Sequence, residues 1–146
     1  MEKDPEDHIQ RVKKRLEAGR TVLVDLHDHG GWTTWDVESV QPFSEQITLP
    51  PPRAEDPFFV ATDERDPDVL RKFAAAGAVF MSDLLTIEDR QTFGWPLMIM
   101  DIMAFVEQQL LVHSGYFYGH CLSSFSGAIM NMRAGLGADP RTTLLD

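Results

Sequence analysis

The chain has 146 residues, of which 43% are hydrophobic and 25% charged, and this is the size and composition of one globular domain. Twenty-three acidic residues against thirteen basic ones give a formal charge of -10, which argues against unaided binding to a nucleic-acid backbone or an anionic membrane. The single cysteine, Cys121, excludes an internal disulfide, and no apolar stretch is long enough to span a membrane.

The first third of the chain predicts a helix, a strand and an irregular region. Asp4 stands in N-cap position before an amphipathic stretch, and Gly19 is expected to end this first helix. The β-branched, continuously apolar run 21–26 is typical of a strand that is covered on both faces. A loop rich in His and Gly follows at 27–31, and the fold of residues 1–50 as a whole stays uncertain.

The rest of the chain alternates between predicted strands and helices. We expect strands at 57–61, 78–81 and 116–118, and helices at 66–76, 95–113 and 124–134. With short connections, this order implies parallel strands joined by crossover helices. The predicted fold class is therefore α/β, with a Rossmann-like parallel sheet flanked by helices in a single domain over residues 1–146.

Ligands of such sheets bind where the strands end, and one such loop contains several carboxylates. Asp63 follows the strand at 57–61 and is placed to hydrogen-bond a ribose or a base, and Glu64 to do so less directly. The alternative interpretation is that Asp66 caps the next helix while its neighbours face solvent. The polar pair Ser82-Asp83 is a weaker candidate, because such a pair after a buried strand is often only a turn.

A second loop is rich in hydroxyl groups. Ser123, Ser124 and Ser126 lie between Gly119 and Gly127 at a predicted strand-to-helix junction. Hydroxyl and backbone donors at a helix start attract a phosphate, and the helix dipole adds about 0.3–1 kcal/mol. The alternative is an ordinary serine N-cap with Phe125 in the core. No Walker lysine follows, so a P-loop with its Mg²⁺ chemistry is not expected.

The helix predicted at 95–113 is apolar on nearly every side in its first turns, which predicts a central, buried helix. Its methionines at 98, 100 and 103 are then expected to fill the core. Asp101 is the exception in this stretch. A buried carboxylate costs several kcal/mol unless it is paired, so we expect Asp101 to bond a ligand or a partner side chain.

One motif points to a different class of protein. Asp25-Leu-His27-Asp-His29 has the D-x-H-x-H shape of metal-dependent hydrolases, in which two histidines at a strand end hold Zn²⁺. A hydrolase barrel needs further ligands from later strands, and the other histidines are only His8, His113 and His120. A loop rich in histidine without a metal is the alternative.

Four segments of the second half have the order and spacing of segments in one family. They are Phe58-Phe-Val-Ala-Thr-Asp-Glu64, Gly77-Ala-Val-Phe-Met-Ser-Asp83, the helix Asp101–Glu107, and Phe117-Tyr-Gly-His-Cys-Leu-Ser-Ser-Phe-Ser126. Together they resemble the carboxyl-terminal, nucleotide-binding part of the GDP-fucose protein O-fucosyltransferases. In that family a strand ending in vATDe and an F-x-G-x-x-x-S-S-F-S segment recur in this order. The resemblance covers residues 57–136.

The resemblance implies both a fold and a ligand. The family has a GT-B architecture of two Rossmann-like domains, and this chain is equivalent to the second, which holds GDP-fucose. The residues implied to bind the nucleotide sugar are Ser123, Ser124, Phe125 and Ser126 around the phosphates, Asp101 at the guanine and Asp63 beside the nucleotide. The family needs no metal cofactor, transfers fucose to a protein hydroxyl, and works in the lumen of the secretory pathway, although the charged start of this chain contains no secretory signal.

The catalytic motif of the family is not found. That motif is a strand followed by H-x-R-R-G-D, whose arginine stabilises the departing GDP electrostatically. In this chain Leu26-His-Asp-His-Gly-Gly-Trp32 takes its place, and Asp28 stands where the arginine belongs. No catalytic residue is therefore assigned.

Three hypotheses from different classes follow. The first is an O-fucosyltransferase-like glycosyltransferase domain, in a partial or catalytically impaired form. The second is a GDP-sugar-binding module without catalysis, which the missing arginine favours. The third is a small metallohydrolase built on His27 and His29, which the lack of further ligands disfavours.

Overall fold

The computed structural model describes residues 4–36 and 40–146. These residues form helices α1 (Pro5–His29), α2 (Ser44–Thr48), α3 (Pro67–Ala75), α4 (Met81–Leu84), α5 (Ile87–Phe93), α6 (Met100–Val112) and α7 (Ser124–Leu136), 3-10 helices at Trp95–Met98 and Pro140–Thr142, and strands β1 (Phe58–Phe59), β2 (Ala78–Val79), β3 (Phe117–Gly119) and β4 (Thr143–Leu145). The chain divides into two compact units, one of residues 1–11 with 55–107 and one of residues 12–54 with 108–146. No helix of the described residues is long and apolar enough to cross a bilayer.

The first unit is built on a β-α-β element. Strands β1 and β2 pair in parallel, with Phe58 opposite Ala78, and α3 connects them. The start of α3 follows from local chemistry, because the Asp66 side chain accepts a hydrogen bond from the Asp68 backbone N–H at 2.9 Å and Pro67 occupies the first turn. The predicted strand, helix and strand are confirmed in type and order.

The second unit repeats this arrangement. Strands β3 and β4 pair in parallel, with Phe117 opposite Thr143, and α7 lies between them in the chain. The core of the unit contains Val112, Phe117 and Ile129, with partly buried apolar side chains packed around them. The α/β class with parallel strands is thus confirmed. The described residues hold two separate two-stranded sheets, however, and not one Rossmann-like sheet.

The predicted end of the first helix at Gly19 and the predicted strand at 21–26 are wrong. Helix α1 continues through both to His29. Gly19 is buried where a Cβ atom would overlap the ring of Tyr116, so its missing side chain allows close approach between α1 and that ring. Leu23 and Leu26, three residues apart, are 6% and 1% exposed and bury one helix face. The apolar run that resembles a strand is therefore the buried side of a helix.

The single long helix predicted at 95–113 is also wrong. A 3-10 turn that begins with Trp95 and Pro96 ends at Met98, and extended backbone at Ile99 separates it from α6. The first turns of α6 are not buried, because Met100 and Phe105 are 67% and 59% exposed. The methionines do not fill a core as expected, since Met98 is 85% exposed and only Met103 is half-buried.

Several short elements are absent from the sequence-based predictions. They are α2, α4, α5 and β4, and α4 contains the pair Ser82-Asp83, for which a turn is the alternative. Helix α5 carries a local signal that could have revealed it, because Thr86 and Asp89 bond each other's backbone N–H groups in a capping box. The last helix runs past Gly135 to Leu136, and Gly137 follows it with a φ of 84° that favours glycine. A Cβ at Gly137 would also overlap the carbonyl oxygen of Gln41.

A fully buried arginine ties the second unit together. Arg133 on α7 is 0% exposed. Its guanidinium donates to Ser114 O at 2.6 Å, Val112 O at 3.1 Å, Thr142 Oγ1 at 2.9 Å and Thr143 Oγ1 at 2.8 Å. The group therefore joins the chain after α6 to the start of β4. Burial lowers the pKa of Arg133 to about 10, so the side chain stays charged at neutral pH.

A buried carboxylate holds the segment that follows α1. Asp139 is 0% exposed and accepts from the Thr33 backbone N–H at 2.9 Å and from the Arg141 side chain at 3.0 Å. Arg141 in turn donates to Gly31 O at 2.8 Å. Burial favours the neutral acid, but the hydrogen bonds from Arg141 and Thr33 outweigh it and lower the pKa of Asp139.

Candidate functional site

The start of α7 combines a parallel strand end with unused hydrogen-bond donors. Strand β3 ends at Gly119, a turn follows, and Ser123 is the N-cap residue. Ser123 Oγ accepts from the Ser126 backbone N–H at 3.4 Å, and Ser123 O accepts from the Gly127 N–H at 3.0 Å. Within the described parts of the chain, no acceptor bonds the backbone N–H of Ser124 or Phe125. Two donors at the positive end of a thirteen-residue helix are therefore available to an anion.

The serines of this segment have three different surroundings. Ser124 is exposed beside the two free N–H groups, and Ser123 caps the helix. Ser126 is only 6% exposed, and its Oγ lies 2.6 Å from where a Cβ on Gly119 would be. Gly119 therefore permits close packing of β3 against α7. Phe125 packs against the core, so the N-cap and the core contact of the alternative interpretation are both present.

A cation lies at the same end of this sheet. Asp146 follows β4, donates its N–H to Gly119 O at 3.0 Å, and accepts from the Cys121 N–H at 3.1 Å, so it lies beside the turn that leads to α7. The side chain of Asp146 accepts from Arg15 Nη2 at 2.8 Å. This hydrogen bond raises the pKa of Arg15. The sequence alone does not reveal Arg15, because nothing local distinguishes it from the neighbouring basic residues of α1.

The carboxylate loop lies in the first unit, directly after β1. Three of its side chains bond the backbone: Thr62 Oγ1 accepts from the Glu64 N–H at 3.1 Å, Glu64 Oε1 from the Asp66 N–H at 2.8 Å, and Asp66 caps α3. The side chain of Asp63 is exposed and makes no hydrogen bond or ion pair to the described residues. Asp63 is thus the carboxylate of this loop that is available to a ligand, whereas the Glu64 carboxylate already accepts hydrogen bonds from backbone N–H groups.

Asp101 does not have the surroundings that the sequence predicts. It lies in the first turn of α6, is exposed, and has no bonding partner in the described portion of the chain. The expected burial is wrong, because the first turns of α6 face outward, and no side chain of the described residues pairs with Asp101. Asp63 and Asp101 belong to the same unit, in which Arg65 Nη2 lies 3.5 Å from Met100 Sδ and so joins the carboxylate loop to the start of α6. Residues 123–126 belong to the second unit.

The two histidines of the D-x-H-x-H motif lie in the last turn of α1 and not at a strand end. Residues two apart in a helix point about 200° apart around its axis, so His27 and His29 do not face one way. His27 Nδ1 lies 3.1 Å from Asp28 Oδ1, and His29 Nδ1 lies 3.2 Å from Asp25 Oδ1. Over residues 4–36 and 40–146, no group of three or more His, Cys, Asp or Glu side chains is arranged to hold a metal ion.

Comparison with known proteins adds no neighbour. No family model, no curated protein and no solved structure matches this chain.

Proposed function

We propose that this chain binds GDP or GDP-fucose, with the phosphates at the start of α7, as the nucleotide-binding part of an O-fucosyltransferase-like glycosyltransferase. The observation that carries the proposal is the pair of unbonded N–H groups of Ser124 and Phe125 at the carboxyl end of a parallel strand. Phosphates bind at helix starts of this kind because the N–H groups point at the ligand and the dipole favours negative charge. The family resemblance supports GDP as the nucleotide.

Arg15 contributes positive charge to this site. A protein of charge -10 repels a nucleoside diphosphate in general, so a local cation is needed near the phosphates. The guanidinium of Arg15 lies at the end of the sheet from which α7 starts, and it is 40% exposed. Its bond to Asp146 leaves further donors available, because a guanidinium group carries five N–H donors. The proposed site uses backbone, hydroxyl and guanidinium donors and no metal.

Calorimetry with GDP, with and without EDTA, tests the proposal. Ser124→Asp places a carboxylate beside the free N–H groups. There it repels phosphate, but it interacts favourably with the positive end of the helix dipole. GDP affinity should fall at least about tenfold while the thermal midpoint stays the same or rises. The matched control is Ser44→Asp, an equal charge change at the exposed first residue of α2. Absence of GDP binding to the unsubstituted chain, binding that EDTA abolishes, or equal affinity in both variants would contradict the proposal.

A second pair of variants tests the cation. Arg15→Gln should weaken GDP binding several-fold, and more at low salt, because it removes one positive charge from the site. Lys14→Gln makes the same charge change on an exposed neighbour in α1 and should leave affinity nearly unchanged. Equal losses in both variants would show that only net charge matters, and Arg15 would then not belong to the site.

The non-catalytic form of this function has an observation in its favour. The segment that takes the place of the family's arginine motif is the last turn of α1 and the glycines that follow it, not a strand end. No arginine stands between Leu26 and Trp32 to stabilise departing GDP. We therefore propose binding of the nucleotide sugar with impaired transfer, and we leave the protein acceptor and the luminal compartment as implications of the resemblance.

A further inference from the structure

The first unit exposes an unusual amount of apolar surface over one short stretch. Of the thirteen large apolar side chains that are exposed in the described residues, nine lie between Leu84 and Val106. Within eight consecutive residues, Phe93, Trp95, Met98 and Met100 are 59%, 71%, 85% and 67% exposed. Single exposed apolar residues need no explanation, but a concentration of this kind marks an interaction site.

This surface extends over two helices and the turn between them. Helix α6 continues it with Ile102, Phe105 and Val106, which share one helix face by their spacing of three and four residues and are 38%, 59% and 37% exposed. An amphipathic helix normally turns such a face to the core, and here the face is turned outward. The apolar surface is defined as the exposed set Ile87, Phe93, Trp95, Met98, Met100, Ile102, Phe105 and Val106.

Charge restricts what can cover this surface. Between Leu84 and Val106 there are three carboxylates, one arginine and no lysine, and Arg65, from outside this stretch, lies 3.5 Å from Met100 Sδ. Two of the carboxylates, Glu88 and Asp101, are exposed and have no bonded partner in residues 4–36 and 40–146, and the whole chain has a charge of -10. A second copy of the chain would bring like charges together, and an anionic membrane would be repelled. A partner with positive charge beside its own apolar residues fits both features.

We propose that the apolar surface is a docking site for a basic amphipathic helix, with apolar residues along one face and Lys or Arg beside them. Aromatic side chains supply rigid contact area, and methionines adapt to differently shaped apolar residues. Trp95 and Met98 are the anchors, because they are the most exposed large side chains near the middle of the surface. Glu88 and Asp101 pair with the basic residues of the partner and make binding dependent on salt.

The probe is a fluorescent fourteen-residue peptide of Leu and Lys with helical periodicity, titrated with the whole chain and followed by anisotropy. The same peptide with Glu in place of Lys, and a scrambled peptide of Leu and Lys without periodicity, are the peptide controls. Trp95→Ser and Met98→Ser, tested separately, should each weaken binding about tenfold. Leu49→Ser, which removes another exposed apolar side chain, is the matched protein control and should bind as the unsubstituted chain does.

The proposal is supported by saturable binding of the periodic basic peptide and weaker binding of both control peptides. Affinity for the periodic peptide should also fall with rising salt, and among the variants it should fall only in Trp95→Ser and Met98→Ser. Equal binding of the scrambled peptide would overturn the proposal, because it would show charge attraction alone. Self-association of the chain that Trp95→Ser abolishes would assign the surface to a second copy instead. Binding to neutral phosphatidylcholine vesicles that Met98→Ser abolishes, without peptide binding, would assign it to a membrane.

Discussion

Arg133 is buried and charged, and within the described residues its hydrogen-bond partners are neutral oxygens and not carboxylates. Its guanidinium donates to backbone carbonyl oxygens and hydroxyl groups from three separate parts of the second unit. A buried charge is tolerated only when its donors are used, and the planar fork of arginine uses all of them in one place. Arg133 therefore stabilises the ends of α6, α7 and the start of β4 together.

Substitution of Arg133 by lysine should destabilise the protein strongly. Lysine keeps the charge but lacks the planar set of donors, so several carbonyl and hydroxyl oxygens lose their partners. We expect the free energy of unfolding in urea to fall by about 3 kcal/mol or more. Arg90→Lys, at an exposed site on α5, should change it by less than about 0.5 kcal/mol. A small effect at Arg133 would mean that water replaces the lost donors.

Asp139 makes the stability of the second unit sensitive to acid. Its hydrogen bonds to Arg141 and Thr33 lower its pKa in the folded protein, although burial acts in the opposite direction. The unfolded chain therefore takes up a proton at this carboxyl group before the folded chain does. Sign and window follow from linkage: Asp139 contributes stability above the ordinary carboxyl pKa of about 3.9, and this contribution is lost as the pH falls through the folded pKa.

Asp139→Asn should isolate this contribution. The variant should be less stable than the unsubstituted chain at pH 7, because the charged bond to Arg141 is lost, and the difference should shrink between about pH 5 and pH 2. Urea unfolding at a series of pH values, followed by tryptophan fluorescence, measures it. A difference that stays constant over this range would show that the charge of Asp139 has no role.

At the level of elements, Gly19 shows how a residue that usually ends helices lies inside one. Helix α1 continues through Gly19, and the ring of Tyr116 occupies the space that a side chain at this position would need. The energy gained by burying the helix face around Leu23 and Leu26 outweighs the weak helix propensity of glycine.

Gly19→Ala should therefore destabilise the protein although alanine is the better helix former. The added methyl group overlaps the Tyr116 ring, and overpacking of this kind costs about 1–3 kcal/mol. Gly135→Ala in α7 is the matched control, because a Cβ there meets nothing within 4 Å. The control should be more stable by about 0.5–1 kcal/mol in a thermal or urea unfolding experiment. Stabilisation by both substitutions would mean that Tyr116 moves away without loss.

At the level of the whole molecule, we expect the chain to bind GDP or GDP-fucose without transferring fucose to an acceptor. Transfer needs a nucleotide site, a group that stabilises departing GDP, and a surface that holds the acceptor hydroxyl in line. Candidate residues exist here for the first of these, at the start of α7. His27 and His29 lie near the position at which the resembled family has its arginine, but each is beside a carboxylate at the end of α1.

Incubation of the chain with labelled GDP-fucose and candidate acceptor domains should give no fucosylated product above the buffer control, even where calorimetry detects GDP binding. Loss of one donor to the transition state lowers kcat by about 10²–10³. Transfer that disappears in His27→Ala or His29→Ala would contradict this prediction and would make the end of α1 a working replacement for the arginine motif.

The sequence by itself determined the parts of the fold that depend on neighbouring residues. Asp66 with Pro67, and Ser123 before α7, mark helix starts because a side-chain oxygen caps the backbone a few positions away. The same local chemistry makes the order of strand, helix and strand predictable in the first unit, and with it the parallel pairing of β1 with β2. Of the candidate site, the cap and free donors at the start of α7 follow from such a pattern.

Only the tertiary structure decided features that depend on distant contacts. The run 21–26 has the composition of a strand, and its helical form depends on burial of one face and on Tyr116 beside Gly19, nearly a hundred residues further along the chain. Asp101 lies in an apolar stretch, yet it is exposed because no element of residues 4–36 and 40–146 covers the first turn of α6. Arg15 joins the candidate site only through Asp146. Hydrophobicity determines which residues prefer burial, but packing between remote segments determines which of them obtain it.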